Sequence, residues 1–317
     1  MTRWADRAAP GLRVLPCPLR SQRHDLPGVY LSVVGHPGGG TWEGARLRLS
    51  RDSGGSWLSM GNQKTSATVG AARTVLGDCN DPWQWDEVNT VTIRLPGATL
   101  SSATSDAAVQ RFDENAALLG DELIGYRTVV DNADGTYTLS GLIRGRRGTE
   151  WATSSHALGE AFTLLDAAIV FRRLGEDDLD ETLRFAATSH VRRTGSRSRW
   201  IDAVVGMRHL DPYAPVHVAG SRDGSNDLTI TWTRRSRYGE GNLDGFELPL
   251  AETSEAYEID ILDGSTVVRT IEVTEATATY TASQQTSDGL TPGDPVDIVV
   301  YQMSSVVGRG HGAEATV

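Results

Sequence analysis

The stretch AYEIDILDGSTVVRTIEV, residues 256–273, decides the fold of the part of the chain in which it lies. Apolar and polar residues alternate on both sides of Asp263-Gly264, and this alternation is typical of half-buried β-strands. An Asp-Gly pair favours the tight turn of a β-hairpin, because that turn needs positive φ angles. The stretch therefore predicts two antiparallel strands joined by a short turn.

Similar runs lie on both sides of this hairpin. They are VHVAG (216–220), DLTITWTRRSR (227–237), TATYTAS (277–283), PVDIVVYQMS (295–304) and a last run near the C-terminus. About seven strands in roughly a hundred residues are typical of an immunoglobulin-like sandwich. The pattern resembles the fibronectin type III domain. That resemblance implies that Trp232 on strand B and Tyr301 on strand F are core residues.

The preceding residues also favour strands. Runs bounded by Gly, Pro, Asn or Asp lie at 28–36, 89–96, 134–144 and 160–172. Helical periodicity is limited to residues 106–124, where we expect one short helix. The sequence therefore predicts an all-β protein.

A domain boundary is indicated at residues 211–215, Asp-Pro-Tyr-Ala-Pro, where two prolines favour a short stiff linker. Residues 1–210 hold 24 basic and 24 acidic residues, whereas residues 211–317 hold 6 and 17. We therefore expect a β-rich module over 1–210 and an acidic fibronectin-like sandwich over 211–317. Two subdomains dividing near residue 105 are an open alternative for the first module.

The composition disfavours several classes of protein. An acidic second module repels phosphates, which argues against nucleic-acid binding. No apolar run reaches the ~18 residues of a membrane span, and the N-terminus lacks the apolar core of a secretory signal. Cys17 and Cys79 lack the spacing of a zinc site, so we expect two free thiols, with a Cys17–Cys79 bridge left open.

Residues 50–57, SRDSGGSW, match the Asp-box hairpin of sialidases and other β-propellers. In this motif the Asp carboxylate accepts from backbone N–H groups of the turn while the Trp packs beneath it. A propeller would show several copies, and the sequence has one. We therefore expect a structural hairpin here and no catalytic group.

Three arginines and three glycines occur together in GLIRGRRGTE, residues 141–150. The segment lacks the P-loop pattern for phosphate binding. We expect a Gly-rich turn in which Arg144, Arg146 and Arg147 pair with Glu150 or with neighbouring subunits. Nucleic-acid contact is the alternative.

The segment DPWQWD, residues 81–86, combines two tryptophans with two carboxylates. Exposed aromatic rings beside acids can stack on and hydrogen-bond a sugar. Trp83, Trp85, Asp81 and Asp86 are therefore candidate glycan contacts. The alternative is that both indoles pack on one face of a strand.

No patterned catalytic motif occurs: the sequence lacks GxSxG, HExxH and a recognisable Cys/His pair. His156 and Glu160 are four residues apart, which we interpret as coincidence if the region is β, with a structural histidine favoured over a catalytic one. We therefore expect no enzymatic activity, no catalytic residue, no cofactor and no metal site.

The order of the motifs indicates a family. The segments are DLPGVYLSVVG (25–35), WEGARLRLSRDSGGSW (42–57), EVNTVTIRL (87–95), FDENAALLGDELIGYRTV (112–129), YTLSGLIRGRRGTEWA (137–152) and HALGEAFTLLD (156–166). This succession resembles the C-terminal region of siphophage and gene transfer agent tail-tip proteins, over roughly residues 25–170. Family members are usually longer, with preceding hub domains that close the tail tube.

The resemblance implies a structural protein of the virion tail tip or baseplate, assembled in the host cytoplasm. Its partners would be other tail-tip proteins and tail fibres, in a symmetric oligomer that we expect to be a trimer. It would serve fibre attachment or host-surface recognition. The alternatives are a glycan-binding receptor module and an enzyme acting on surface polysaccharide.

Overall fold

A computed structural model describes residues 10–35, 42–190, 198–238 and 249–317. In these ranges the chain is built almost entirely from strands, which confirms the predicted all-β class. The predicted strand at 28–36 ends at Val34, and residue 36 lies outside the described ranges. The chain divides into two compact units, Met1–His209 and Leu210–Val317.

The first unit contains fourteen strands and one short helix in its described ranges. They are β1 Gly11–Leu15, β2 Gly28–Val34, β3 Ala45–Ser50, β4 Leu58–Gln63, β5 Val69–Ala72, β6 Trp85–Asp86, β7 Val91–Arg94, α1 Asp106–Gln110, β8 Ala116–Leu119, β9 Glu122–Asp131, β10 Thr136–Ile143, β11 Ala161–Leu164, β12 Val170–Arg173, β13 Thr182–Ser189 and β14 Ser198–Val204.

Residues 67–164 form a closed antiparallel barrel of six strands. Its hydrogen-bonded order is β10-β7-β5-β11-β8-β9, and β9 pairs back onto β10 to close the ring. The short strand β6 pairs with the end of β10 beside β7. Strands on both sides of residue 105 therefore belong to one sheet, so the open alternative of two subdomains dividing near residue 105 is not realised.

The interior of the barrel is filled by alternate residues of its strands, as expected for a small barrel. The buried cluster comprises Ala72, Leu76, Val91, Ile93, Leu95, Ala117, Leu119, Ile124, Tyr126, Tyr137, Leu139, Leu142 and Phe162. The expected helix over 106–124 is confined to α1, because Ala116–Leu119 and the residues after Gly120 pack as strands. Gly120 has a φ of 58° and makes the turn between β8 and β9.

The barrel segment is inserted in the chain between the strands of two further sheets. These have the orders β1-β2-β12 and β14-β13-β3-β4, so strands from both sides of the barrel segment contribute to each. The predicted strand at 160–172 is correspondingly two strands: β11 belongs to the barrel and β12 to the surrounding sheet. At the junction, Leu164 N–H donates to Thr68 O, so the chain enters and leaves the barrel at one place.

Arg172 of β12 connects the edges of these two sheets. Its guanidinium donates to the carbonyl oxygens of Met60, at 2.5 Å, and Asn62, at 3.3 Å, both on the outer edge of β4. At the opposite side, β1 lies beside β13 and β14. The outer face of β14-β13-β3-β4 points away from this core and carries mostly polar side chains.

The second unit is a sandwich of three strands against four. Its strands are β15 Val216–Arg222, β16 Leu228–Thr233, β17 Tyr257–Asp263, β18 Thr266–Val273, β19 Thr277–Tyr280, β20 Asp297–Ser304 and β21 Gly308–Thr316, with helix α2 Ala282–Ser287. The sheets have the orders β15-β16-β19 and β18-β17-β20-β21. The hairpin predicted around Asp263-Gly264 is confirmed, with β17 and β18 antiparallel. The unit is the predicted fibronectin-like sandwich.

Trp232 and Tyr301 differ in their surroundings. Trp232 is buried in the sandwich core, with its ring 5.0 Å from that of Tyr257 in an edge-to-face contact. Tyr301 is half-buried on the outer face of its sheet, where the Arg309 guanidinium lies 4.6 Å above its ring. The prediction is confirmed for Trp232 and wrong for Tyr301, because strand β20 turns Val300 and Ile298 inward instead.

The cysteines and the helices add two observations. Cys17 and Cys79 are both free thiols, so the open alternative of a bridge between them is not realised. Burial raises the pKa of the Cys17 thiol to about 12, against the opposing charges of Arg20 and Arg147. In the described ranges, no helix is long and apolar enough to cross a membrane.

Candidate functional site

The predicted Gly-rich turn, residues 141–150, forms a corner of the barrel directly after β10. Gly145 and Arg147 adopt left-handed conformations, with φ of 58° and 53°. A Cβ atom at Gly145 would lie 3.1 Å from Pro82 Cβ and 3.0 Å from Glu150 Cα. The loops that carry Pro82 and Glu150 therefore meet at Gly145, and the close approach requires a glycine.

Arg144 is completely buried beneath this corner. Its Nε donates to Glu122 Oε1 at 2.8 Å and its Nη2 to Glu122 Oε2 at 3.0 Å. Nη1 donates to Asp86 Oδ2 at 3.0 Å, and two further N–H groups donate to the carbonyls of Gly77 and Thr153. Each of the five guanidinium N–H donors therefore has an acceptor within the barrel.

The prediction that Arg144 contacts a neighbouring subunit is therefore wrong. Its charge is already balanced by Glu122 and Asp86, and its side chain has no exposed surface. It pairs with these two carboxylates and not with Glu150. The physical reason is that a buried guanidinium is tolerated only when its hydrogen bonds and charge are satisfied locally.

His156 extends the buried network. Its Nε2 lies 2.6 Å from Glu122 Oε2, and its Nδ1 lies 2.8 Å from Glu160 Oε1. Burial alone would lower the pKa of the imidazole, but the hydrogen bonds and charges of the two glutamates outweigh it and raise the pKa to about 9. The imidazole is therefore protonated at neutral pH and donates to both carboxylates.

His156 and Glu160 are thus in contact, across a turn and not along a helix. The interpretation of their spacing as coincidence is therefore wrong. The side chain of His156 is only 2% exposed. A substrate could not reach the imidazole, so the arrangement is that of a structural histidine that ties the turn before β11 to β9.

Arg146 and Arg147 are half-buried on the outer side of the same corner. Both guanidinium groups lie 5.2 Å from the centre of the Phe112 ring. Arg147 Nη1 also donates to the carbonyl of Leu19. Glu150 is half-buried at the start of a 3-10 turn. Contact of Arg146, Arg147 and Glu150 with neighbouring subunits stays a prediction.

The four candidate glycan contacts do not form one surface. Trp83 is 65% exposed, and Asp81 beside it accepts hydrogen bonds from Trp83 N–H and the Gln84 side chain. Trp85 is half-buried, with the Arg127 guanidinium 4.9 Å from its ring. Only Trp85 and Asp86 belong to β6, so the two indoles do not share a strand face.

Asp86 is unsuited to contact a sugar. Its carboxylate accepts from Val88 N–H, from Asn89 and from Arg144, and its side chain is 6% exposed. Burial opposes its ionisation, yet these hydrogen bonds hold the pKa of Asp86 below its usual range. The prediction that Asp86 contacts a glycan is therefore wrong, because its carboxylate accepts a hydrogen bond from Arg144.

Glu122 is the central residue that sequence reasoning missed. It binds Arg144, His156 and the backbone N–H of Gly145, and it is completely buried. Its sequence context, GDELIG, offered one signal, because a glutamate within an apolar strand pattern must find a buried cation. The partners lie 22 and 34 residues away, so spacing alone could not identify them.

The Asp-box hairpin is confirmed. The Asp52 carboxylate accepts from Ser56 N–H at 2.8 Å and from the Ser50 and Ser56 hydroxyls. These hydrogen bonds lower the pKa of Asp52. A Cβ atom at Gly54 would lie 3.6 Å from the Trp57 ring, which shows that the indole packs beneath the turn between β3 and β4.

A cleft of about 290 Å³ opens on the barrel between residues 101–104, 112–116 and 164–166. Two of its acids are engaged: Glu114 accepts from Thr104, and Asp113 pairs with Arg111. In the described ranges no group of three His, Cys, Asp or Glu side chains is arranged to hold a metal ion. The cleft therefore has no metal-binding geometry among these residues.

Comparisons with solved structures give weak overall similarity. Chicken CNTN1 FN1-FN3 domains match at 10% identity over 98% of each chain with a TM-score of 0.24. A segment of two fibronectin type III domains from chicken tenascin matches at 11% identity, over 78% of this chain and 98% of that one, with a TM-score of 0.25. Rat CD45 domains d3-d4 match at 11% identity, over 42% of this chain and 62% of that one, with a TM-score of 0.26.

These TM-scores are too low to support any conclusion about the whole chain. The sandwich of the second unit is identified from its own strand order. No curated protein matches the sequence. A family described as "Rcc01698-like, C-terminal" matches residues 67–163. Over the closed barrel, this chain is therefore similar to the Rcc01698-like C-terminal family.

Proposed function

We propose that the chain is a non-enzymatic structural component of the tail tip or baseplate of a phage or gene transfer agent. It docks on the tail and serves fibre attachment or host-surface recognition. Its partners are other tail-tip proteins and tail fibres, in a symmetric assembly that we expect to be a trimer. Its location is the virion tail tip, after assembly in the host cytoplasm.

One observation carries the proposal. Four of the six segments that resemble tail-tip proteins lie within residues 87–166. This stretch largely coincides with the family match over residues 67–163 and with the closed barrel. The segment with the most specific resemblance, residues 142–150, includes Arg144 and forms the corner that the buried network holds in place. The resemblance therefore falls on a folded unit whose shape is fixed from within.

The charges of the two units support a division of roles. Residues 1–210 are charge-balanced, which suits a surface that packs among neighbours in a particle. Residues 211–317 carry the whole net charge of −11, so identical copies repel one another. We assign docking to the first unit and outward display to the second.

The test uses particles from a strain that encodes the chain. A tagged copy should appear at the tail tip by immunogold electron microscopy, and deletion of residues 211–317 should leave particle number unchanged while reducing fibre attachment or adsorption. A tagged full-length chain is the control. Absence of label from particles, or label along the tube or head, would refute the assignment.

A second experiment addresses docking through Arg146 and Arg147. Replacing both with alanine should reduce incorporation into particles, while circular dichroism of the purified chain should show that it is still folded. Arg144 is unsuitable for this test because its substitution disrupts the barrel itself. Normal incorporation of the double variant would remove this corner from the docking surface.

Glycan binding at the barrel is a second candidate, favoured by the 65% exposure of Trp83 next to Asp81. With Trp85 covered and Asp86 engaged, this candidate site is reduced to one indole and one carboxylate. Trp83→Ala should lower adsorption without changing particle number. Unchanged adsorption would exclude the candidate. The Asp-box hairpin supplies no catalytic group, so we do not propose a polysaccharide-acting enzyme.

A further inference from the structure

The outer face of the sheet β14-β13-β3-β4 is a polar surface with two tryptophans at its sides. Trp200 of β14 is 54% exposed and lies opposite Ala186 of β13, which is in register with Arg48 of β3. Trp57 directly precedes β4. Three strand spacings of about 4.8 Å put the two outer strands roughly 14 Å apart.

Arginine side chains contact both indoles. The Arg184 guanidinium is 4.0 Å from the centre of the Trp200 ring, and that of Arg48 is 4.9 Å from the Trp57 ring. Ala186 is 1% exposed although it points to the outer face, which shows that larger side chains cover it. The rings are thus held in place by cation–π contacts while a large part of Trp200 stays accessible.

The face carries positive charge that no carboxylate among the described residues neutralises. Among the described residues, neither Arg46 nor Arg48 has a carboxylate partner, and Arg48 Nε is buried without an acceptor. The two acids nearby are engaged, because Asp202 pairs with Arg184 and Asp52 holds the hairpin turn. The unpaired arginines therefore attract an anionic group.

Short polar side chains complete the surface. Arg48 donates weakly to the hydroxyls of Thr188 and Ser198, at 3.3 and 3.5 Å. Ser59 and Asn62 of β4 are exposed at the opposite side. Hydroxyl and amide groups beside the exposed Trp200 indole match a chain of sugar rings, which offers apolar faces for stacking and hydroxyls for hydrogen bonds.

We propose that this face, defined by Arg46, Arg48, Trp57, Ala186 and Trp200, binds an acidic polysaccharide. Carboxylates of the sugar chain bind Arg46 and Arg48, and sugar rings stack on Trp200. This inference does not depend on the tail-tip role. It also places sugar binding on a different surface from Trp83.

The observations favour a polysaccharide over a nucleic acid. Affinity for nucleic acid comes mainly from neutralising many closely spaced phosphates. This face offers two arginines without a carboxylate partner among the described residues, in a unit whose residues 1–210 carry no net charge. A polymer with one carboxylate per sugar, or fewer, meets less repulsion from the rest of the protein.

The experiment is calorimetric titration of the full chain with oligogalacturonate, with neutral malto-oligosaccharide and with single-stranded oligothymidylate. We expect binding of oligogalacturonate alone, weakened by added salt. Trp200→Ala and the double variant R46Q/R48Q should each weaken it at least tenfold, and the double variant should reduce its dependence on salt.

Matched controls are Trp151→Ala, a 41% exposed indole that also lies beside an arginine, Arg208, and Arg94→Gln, an exposed arginine on β7. Both should bind oligogalacturonate as the unaltered chain does. If Arg48→Gln unfolds the sheet, Arg46→Gln alone, at an exposed position, tests the contribution of positive charge to binding. No binding of oligogalacturonate, oligothymidylate binding of equal strength, or loss of binding in the Trp151 variant would each overturn the proposal.

Discussion

Single residues in the Arg144 network show how a charged cluster is stabilised inside a small barrel. Arg144 and protonated His156 face three carboxylates, those of Glu122, Asp86 and Glu160. Removing charges from water is costly, and the cost is offset only if each retains a partner at hydrogen-bond distance. The network is therefore sensitive to the loss of any single member.

Glu122→Gln should lower the free energy of unfolding of the first unit by about 3–5 kcal/mol, because it leaves Arg144 buried with an incomplete set of negative partners. Urea denaturation of the full chain measures the change. Glu87→Gln is the matched control, since Glu87 pairs with Arg127 at the surface and should matter little. Equal effects of the two substitutions would contradict the central role of Glu122.

The stability of the barrel should fall at alkaline pH. The pKa of His156 is raised from 6.5 to about 9, so its stabilising contribution is fully present below pH 6.5 and is lost as pH rises through 9. Melting temperatures of the unaltered chain and of His156→Gln, compared between pH 6 and 10, isolate this contribution. The melting temperature of the variant should fall less steeply as pH rises. Parallel curves for the two proteins would exclude a contribution from His156.

At the scale of elements, alternation and turn residues predicted strands well. The hairpin at Asp263-Gly264 and the Asp box around Asp52 follow from local chemistry, because a short turn is specified by its own residues. Residues 116–124 lie in the stretch 106–124 where we expected one short helix, because Ala and Leu favour helices locally. In the barrel they form two strands, since pairing with β11 and β10 buries both.

The candidate site was less predictable from sequence than the strands. The segment around Arg144 was correctly singled out, but its partners come from β6, β9 and the loop before β11. Such pairings depend on which strands close the barrel, and no local pattern encodes that closure. Asp86 was misassigned for the same reason, because its burial and engagement are decided by Arg144.

The pairing of β2 with β12 depends on a close approach at Gly28. A Cβ atom there would lie 2.2 Å from Phe171 Cζ and 2.7 Å from the carbonyl oxygen of Arg172. Gly28→Ala should therefore destabilise the first unit by about 1–3 kcal/mol, the usual cost of overpacking. Gly206→Ala, which meets nothing within 4 Å, is the control in the same thermal denaturation series. An unaffected Gly28 variant would show that the sheet can shift to accept a methyl group.

For the whole molecule, two compact units with separate cores imply separate unfolding. Within the second unit, Trp232 fills the centre of the sandwich, whereas Tyr301 lies under Arg309 on its outer face. The charge difference between the units adds to their independence, because only the second should respond strongly to screening of its negative charge.

Calorimetry of the full chain should therefore show two transitions. Trp232→Ala should shift only one of them, at a cost of about 3–5 kcal/mol for truncating a buried aromatic side chain. Tyr301→Ala should shift the same transition much less. A single transition that both variants shift equally would contradict separate cores.

The insertion of the barrel between β4 and β12 has a consequence for how such chains diversify. Its first and last strands, β5 and β11, are hydrogen-bonded neighbours, so the segment begins and ends at one point. A genetic exchange with breakpoints near residues 66 and 166, outside β5 and β11, would transplant a complete barrel without cutting a strand. The family match covers this same interval. The barrel can therefore be inherited as one unit and inserted between the strands of different surrounding sheets, with its buried Arg144 network intact.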